Sequence, residues 1–169
     1  MKKQLSAALV MGVMAMSAAQ AEEVGPYNSA VKAGVKKCLP AIKKLSEFLL
    51  KGEQHGWKCT HVQASPDKGI FSCVMETPFS KPVEFISMAV IPSAGGECAA
   101  HYTRVGIWPK NCDAIAQQEF SEFQEKDKLG QYYAQMLPKK GHGAMRPFLM
   151  NVSDTCQVIR TEAITNLSK

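Results

Sequence analysis

The chain lacks the short motifs that mark many enzyme families. No Gly-x-Ser-x-Gly occurs, which removes the nucleophile elbow of a serine hydrolase. There is no Gly-rich phosphate loop, no dinucleotide fingerprint and no His-Glu-x-x-His, which removes the usual sequence signs of nucleotide binding and zinc proteolysis. No Cys-x-x-Cys pair exists, and no Cys-x-x-Cys-His haem attachment site. Internal repeats and low-complexity linkers are missing too. Beyond the amino terminus, no apolar run approaches the roughly 20 residues needed to span a bilayer.

What is present begins with an export pattern. Lys2 and Lys3 form a charged start, Leu5 to Ala15 an apolar stretch, and Ala19-Gln20-Ala21 a small-residue cleavage site. Residues 1–21 therefore read as a secretory signal peptide, with the mature protein starting at Glu22 and leaving 148 residues (169 minus 21). No cysteine follows the cleavage site, which argues against a lipid anchor. The short Lys-Lys start suits bacterial export, so the expected location is the periplasm or the exterior. A length of 148 suits one domain over residues 22–169. The precursor carries 20 Lys and Arg against 15 Asp and Glu; two lysines leave with the signal, so the mature balance is 18 minus 15, or +3. That is too small and too evenly spread to point to nucleic acid.

Six cysteines remain: Cys38, Cys59, Cys73, Cys98, Cys112 and Cys156. An even count in an exported chain reads as three disulfides. Their spacings of 21, 14, 25, 14 and 44 match no zinc pattern. Cys59 and Cys73 lie on two strand-like runs, His55 to Gln63 and Ile70 to Thr77, joined by a turn around Pro66-Asp67. With the turn centred there, the two cysteines face each other on one side of the hairpin. Cys98 with Cys112 is the next expectation, which leaves Cys38 for Cys156.

The remaining pattern is mixed. Val31, Val35, Cys38, Ile42, Leu45 and Leu49 make an apolar stripe at helical spacing, so Pro26 to Gly52 reads as one long helix kinked at Pro40. Its lysines, Lys36, Lys37, Lys43, Lys44 and Lys51, read as the solvated face. Val83 to Ile91 and Glu97 to Trp108 extend the hairpin into a four-stranded meander. Asn111 caps a further helix with the stripe Cys112, Ile115, Ala116, Phe120 and Phe123. Leu129, Tyr133 and Met136 suggest that Lys126 to Leu137 continues it, with a break near Gly130. Ala144 to Val152 and Thr155 to Ile164 read as a closing hairpin. The expected fold is α+β: a long amino-terminal helix on a curved four-stranded antiparallel meander, then a helical segment and a carboxy-terminal hairpin.

Candidate sites are few. Tyr102, Arg104 and Trp108 combine the residue types that dominate protein–protein hot spots. The basic loop around Lys139, Lys140 and His142, followed by Arg146, is a second contact candidate. A metal would need His55, His61 and His101 to converge. A thiol nucleophile would need Cys98 free beside His101. Carboxylate catalysis would draw on Glu76, Glu84 and Glu97. The sequons at Asn151 and Asn166 read as chance in a bacterial protein. No catalytic residue, metal or cofactor is assigned. The expected function is an exported, non-enzymatic protein-binding domain, an inhibitor or immunity protein that blocks a hydrolase or toxin. The alternatives are an apolar-ligand carrier lined by Trp57, Met75, Phe85 and Met88, or a small hydrolase or isomerase using His61, His101 and Glu84 under the first helix.

Overall fold

Antiparallel pairing between Gly56 and Ile164 gives one eight-stranded sheet, in the order β1-β2-β3-β4-β8-β7-β6-β5. The computed structural model describes residues 25–78, 80–140, 144–165 and 167. Residues 1–21, the expected signal segment with its expected cleavage site, lie outside them. The strands are β1 (Gly56–His61), β2 (Phe71–Thr77), β3 (Glu84–Pro92), β4 (Cys98–Trp108), β5 (Phe123–Leu129), β6 (Tyr133–Pro138), β7 (Arg146–Val152) and β8 (Thr155–Ile164). The helices are α1 (Gly25–Lys32), α2 (Leu39–Leu50) and α3 (Cys112–Glu119). This replaces the expected long helix on a four-stranded meander. The hairpin that closes the chain is not appended to a finished sheet: β8 pairs with β4 and so sits at its centre.

Two local readings account for the difference. The run from Pro26 to Gly52 is two helices, because Gly34 turns left-handed (φ 79°) after α1. Pro40 then lies in the first turn of α2, where a missing N–H costs nothing, so no kink is needed. Val31 drops out of the apolar stripe and is exposed, while Val35, Cys38, Ile42, Leu45 and Leu49 are buried. Lys126 to Leu137 is not helical but belongs to the β5–β6 hairpin. Gly130 supplies its left-handed turn (φ 66°). Asn111 does cap α3, its side chain accepting from Ala114 N–H at 2.9 Å.

All three helices cover the same face of the sheet. Residues alternate faces along a strand, and the register assigns Phe71, Cys73, Met75, Ile86, Met88, Val90, Ala100 and Tyr102 to the covered side. With α2 they form one buried cluster. Trp108, Cys112, Ile115, Phe120, Met136, Leu149, Cys156 and Val158 form a second around α3.

Three disulfides brace this arrangement. Cys59–Cys73 joins β1 to β2 across directly paired residues. The other two pairs are Cys38–Cys98 and Cys112–Cys156, not Cys98–Cys112 and Cys38–Cys156. The physical reason is the length of β4. Its 11 residues, at about 3.3 Å each, hold its ends about 33 Å apart. Cys98 opens the strand and Cys112 follows its far end, well beyond the roughly 7 Å a bridge tolerates. At that far end Trp108 pairs with Cys156, which brings Cys156 to Cys112.

The β1–β2 turn is tied to the loop between α1 and α2. The Asp67 carboxylate accepts from the backbone N–H groups of Lys36 (2.6 Å) and Lys37 (2.9 Å). These bonds hold its pKa below the ordinary value of 3.8. A depressed carboxylate contributes stability that is present above the unfolded value and is lost as pH falls through the folded value. Asp67→Ala should therefore lower the urea midpoint at neutral pH. Its difference from the parent protein should shrink to nothing as pH falls below 3.8, measured by denaturation at a series of pH values.

Candidate functional site

Between the two buried clusters, the covered face carries charge. Glu84 on β3 is 4% exposed. Its carboxylate pairs with Arg104 on β4 and, at 3.1 Å, with Arg160 on β8. Register explains the convergence: Arg104 and Arg160 are directly opposed, and Glu84 pairs with Gly106 one step along the same face. The Arg160 guanidinium lies over the rings of Trp108 (5.2 Å) and Phe120 (5.9 Å), a stacked geometry that suits arginine. Gly106 makes room for Trp108, since a Cβ there would sit 2.8 Å from the indole ring. Burial lowers the Arg160 pKa, and Glu84 opposes that shift. The Tyr102 hydroxyl donates to Glu162 at 2.7 Å. Burial first, and then that bond, push the Tyr102 phenol above its ordinary range.

This seam brings together Tyr102, Arg104 and Trp108, as their shared parity on β4 requires. Tyr102 is 3% and Trp108 9% exposed, so they join the interior and present no contact surface. Arg160, Glu162 and Phe120 complete the group; the sequence marks Phe120 only as part of an apolar helix stripe and gives the other two no role. Their signal was faint: Arg160 and Glu162 share strand parity with Cys156, but only the β4–β8 pairing places that parity against Arg104. Lys139 and Lys140 are exposed after β6, with the Lys139 N–H bonded to the Glu122 carbonyl at 2.8 Å. Arg146 opens β7 opposite Thr161. His142 lies outside the described residues.

The enzyme readings do not assemble. Every cysteine is in a disulfide, so Cys98 offers no thiolate to His101. His101 faces away from Glu84 and meets the Thr161 hydroxyl at 2.8 Å, while His61 ends β1. Glu76 and Glu84 occupy opposite faces. Among the described residues, no three His, Cys, Asp or Glu side chains come together in a way that could hold a metal ion. The carrier reading fares no better. Met75 and Met88 are packed into the core at 2% and 1% exposure, and Phe85 points to the other face.

Among the described residues, no helix lies over that other face. Across it the register lines up Phe85, Val105, Ile159 and Phe148 on neighbouring strands. Glu76 bounds this row beyond Phe85, and Gln135 beyond Phe148. Phe85 is 51% exposed, and Ile107, also on this face, is 56% exposed. A parallel row of Val74, Ser87, Thr103 and Thr161 carries no charge until Lys58 at one end and Arg146 at the other. Beside β1, Lys58, Val74, Glu76 and Phe85 border an open groove of about 390 Å³.

Removing Glu84 would leave two half-buried guanidinium groups side by side without their shared carboxylate. Glu84→Ala should lower the unfolding free energy by about 3–5 kcal/mol, as for other broken buried pairs. A loss under about 1 kcal/mol in urea denaturation would place the cluster with ordinary surface ion pairs.

Comparison with family models, with curated proteins and with solved structures returns no match.

Proposed function

We propose that this chain is an exported, non-enzymatic protein-binding domain, in its concrete form an inhibitor or immunity protein that blocks a hydrolase or toxin in the periplasm or outside the cell. The observation that supports it is the uncovered sheet face. An apolar row of Phe85, Val105, Ile159 and Phe148 crosses its middle, with charge confined to the ends of the strand rows. Protein interfaces share that division, with charge depleted at the centre and a polar rim. At about 4.8 Å between strands and about 3.3 Å per residue, eight strands present an area on the order of 800 Å², what each partner gives to a standard interface.

The disulfides serve the same end. They fix the sheet before a partner arrives, so less ordering is lost on binding. They also suit an oxidising compartment, in line with the amino-terminal export pattern. Among the described residues, no helix is long and apolar enough to cross a membrane.

The test is capture from periplasmic extract with three immobilised proteins: the parent, a Phe85→Lys, Ile107→Lys double variant, and a Lys32→Glu control on α1. The parent and the control should retain one protein in stoichiometric amount, and the parent should suppress that protein's hydrolytic or toxic activity. The double variant should lose at least tenfold in capture. Capture of nothing, or capture indifferent to the double variant, would contradict the reading.

A further inference from the structure

The two edges of the sheet are built differently. At one edge, β5 reads Phe-Gln-Glu-Lys-Asp-Lys-Leu. It is broken by a register shift between Glu125 and Asp127. Alternating charge and a bulge are the usual means by which an edge is kept from pairing with another chain. At the other edge, β1 has neither. It runs in unbroken register with β2 over six pairs, carries one charge, Lys58, and is locked to β2 by Cys59–Cys73. Among the described residues, no backbone hydrogen bond joins β1 to any segment but β2. Helix α1 meets β1 on the covered face, where the Trp57 indole N–H donates to the Ser29 hydroxyl at 3.1 Å. Among the described residues, nothing pairs with the outer backbone edge of β1.

From this we infer that β1 is a strand-addition site, at which an extended segment of a partner protein pairs with Gly56–His61 and continues the sheet. The inference rests on the contact reading above and names how the contact is made. Backbone bonds would supply affinity, and side chains at alternate positions specificity. The uncovered face at this edge shows Gly56, Lys58 and Thr60, with the groove lined by Val74, Glu76 and Phe85 behind them. Gly56 has no side chain, so a residue paired with it can lean over the backbone onto the Glu76 stem, whose Cγ lies 3.3 Å from where a Cβ would be. A large aromatic ring suits that place, as in the known rescue of edge glycines by cross-strand aromatics. A residue paired with Lys58 on the same face is best acidic, since opposite charges across a strand pair attract. The segment is therefore one with an acid and an aromatic two residues apart. A second copy of this chain does not qualify. Its own β1 presents only Gly56, Lys58 and Thr60 on this face, with no acid to meet Lys58 and no aromatic.

The probe is a displayed library of random nine-residue peptides, panned on the oxidised protein. Panning makes no use of the native partner, so it fails independently of the capture experiment. The expected result is enrichment of peptides with an acid and an aromatic at i and i+2. A synthetic peptide of that pattern should slow amide exchange in 56–61. The same composition with the two residues three apart, and so on opposite faces, should bind at least tenfold more weakly. Lys58→Glu should switch the enriched charge from acidic to basic, and Val74→Glu, which sets a carboxylate beside Lys58 against the incoming acid, should reduce binding at least tenfold. Val74 is already 42% exposed, and a thermal melt confirms that both variants fold. The inference is overturned if no such pattern is enriched, if protection falls elsewhere than β1, if Lys58→Glu leaves the preference unchanged, or if the protein dimerises and the dimer alone loses the open edge.

Discussion

Glu84 is where the two halves of this protein meet. One carboxylate holds Arg104 and Arg160, and so links β3, β4 and β8 across the middle of the sheet. On one side lies the cluster under α2, on the other the cluster under α3. Burying three charges is costly unless each is matched. Here the second guanidinium is further sheltered by Trp108 and Phe120. The pairing of β4 with β8 and the placing of both helices follow around that point. After β4 the chain leaves through α3 to the far edge at β5 and works back through β6 and β7. Its last strand thus completes the centre, and the ionic group cannot form until the chain is nearly finished.

The strands whose sides differ in burial could be read from the sequence, and those without such contrast could not. Flanking turns and apolar runs marked β2, β3 and β4, though the run in β3 is too continuous to assign its faces from sequence, and Asn111 marked the start of α3. The Cys59–Cys73 pair followed from hairpin parity alone. By contrast, the residues of β5 are exposed on both sides save Phe123, so no alternation marks the strand. Leu129, Tyr133 and Met136 then mimicked a helical stripe. Pro40 misled for a related reason: proline is unfavourable inside a helix but welcome in its first turn, and the stripe ran on past Gly34 in phase. The other disulfides were in principle within reach, since the length of β4 alone separates Cys98 from Cys112.

The candidate surface was less legible than the fold. Tyr102, Arg104 and Trp108 have the composition of a hot spot, yet they face the helices. Phe85, Val105, Ile159 and Phe148 come from four strands far apart in sequence, and only the registers of β3, β4, β8 and β7 bring them into one row. No local pattern encodes it. The same registers place His101 and Glu84 on opposite faces. The described helices cover one face of the sheet, and the proposed function assigns contact to the other face and the β1 edge.

The most direct test of that division is site-specific photo-crosslinking in intact cells. A photoreactive residue is placed in turn at positions 85 and 107 on the uncovered face and at position 43 on α2. The contact account predicts one discrete adduct from each of the first two, of the same partner, and none from the third. Adducts from position 43 alone, or none from the uncovered face, would contradict it.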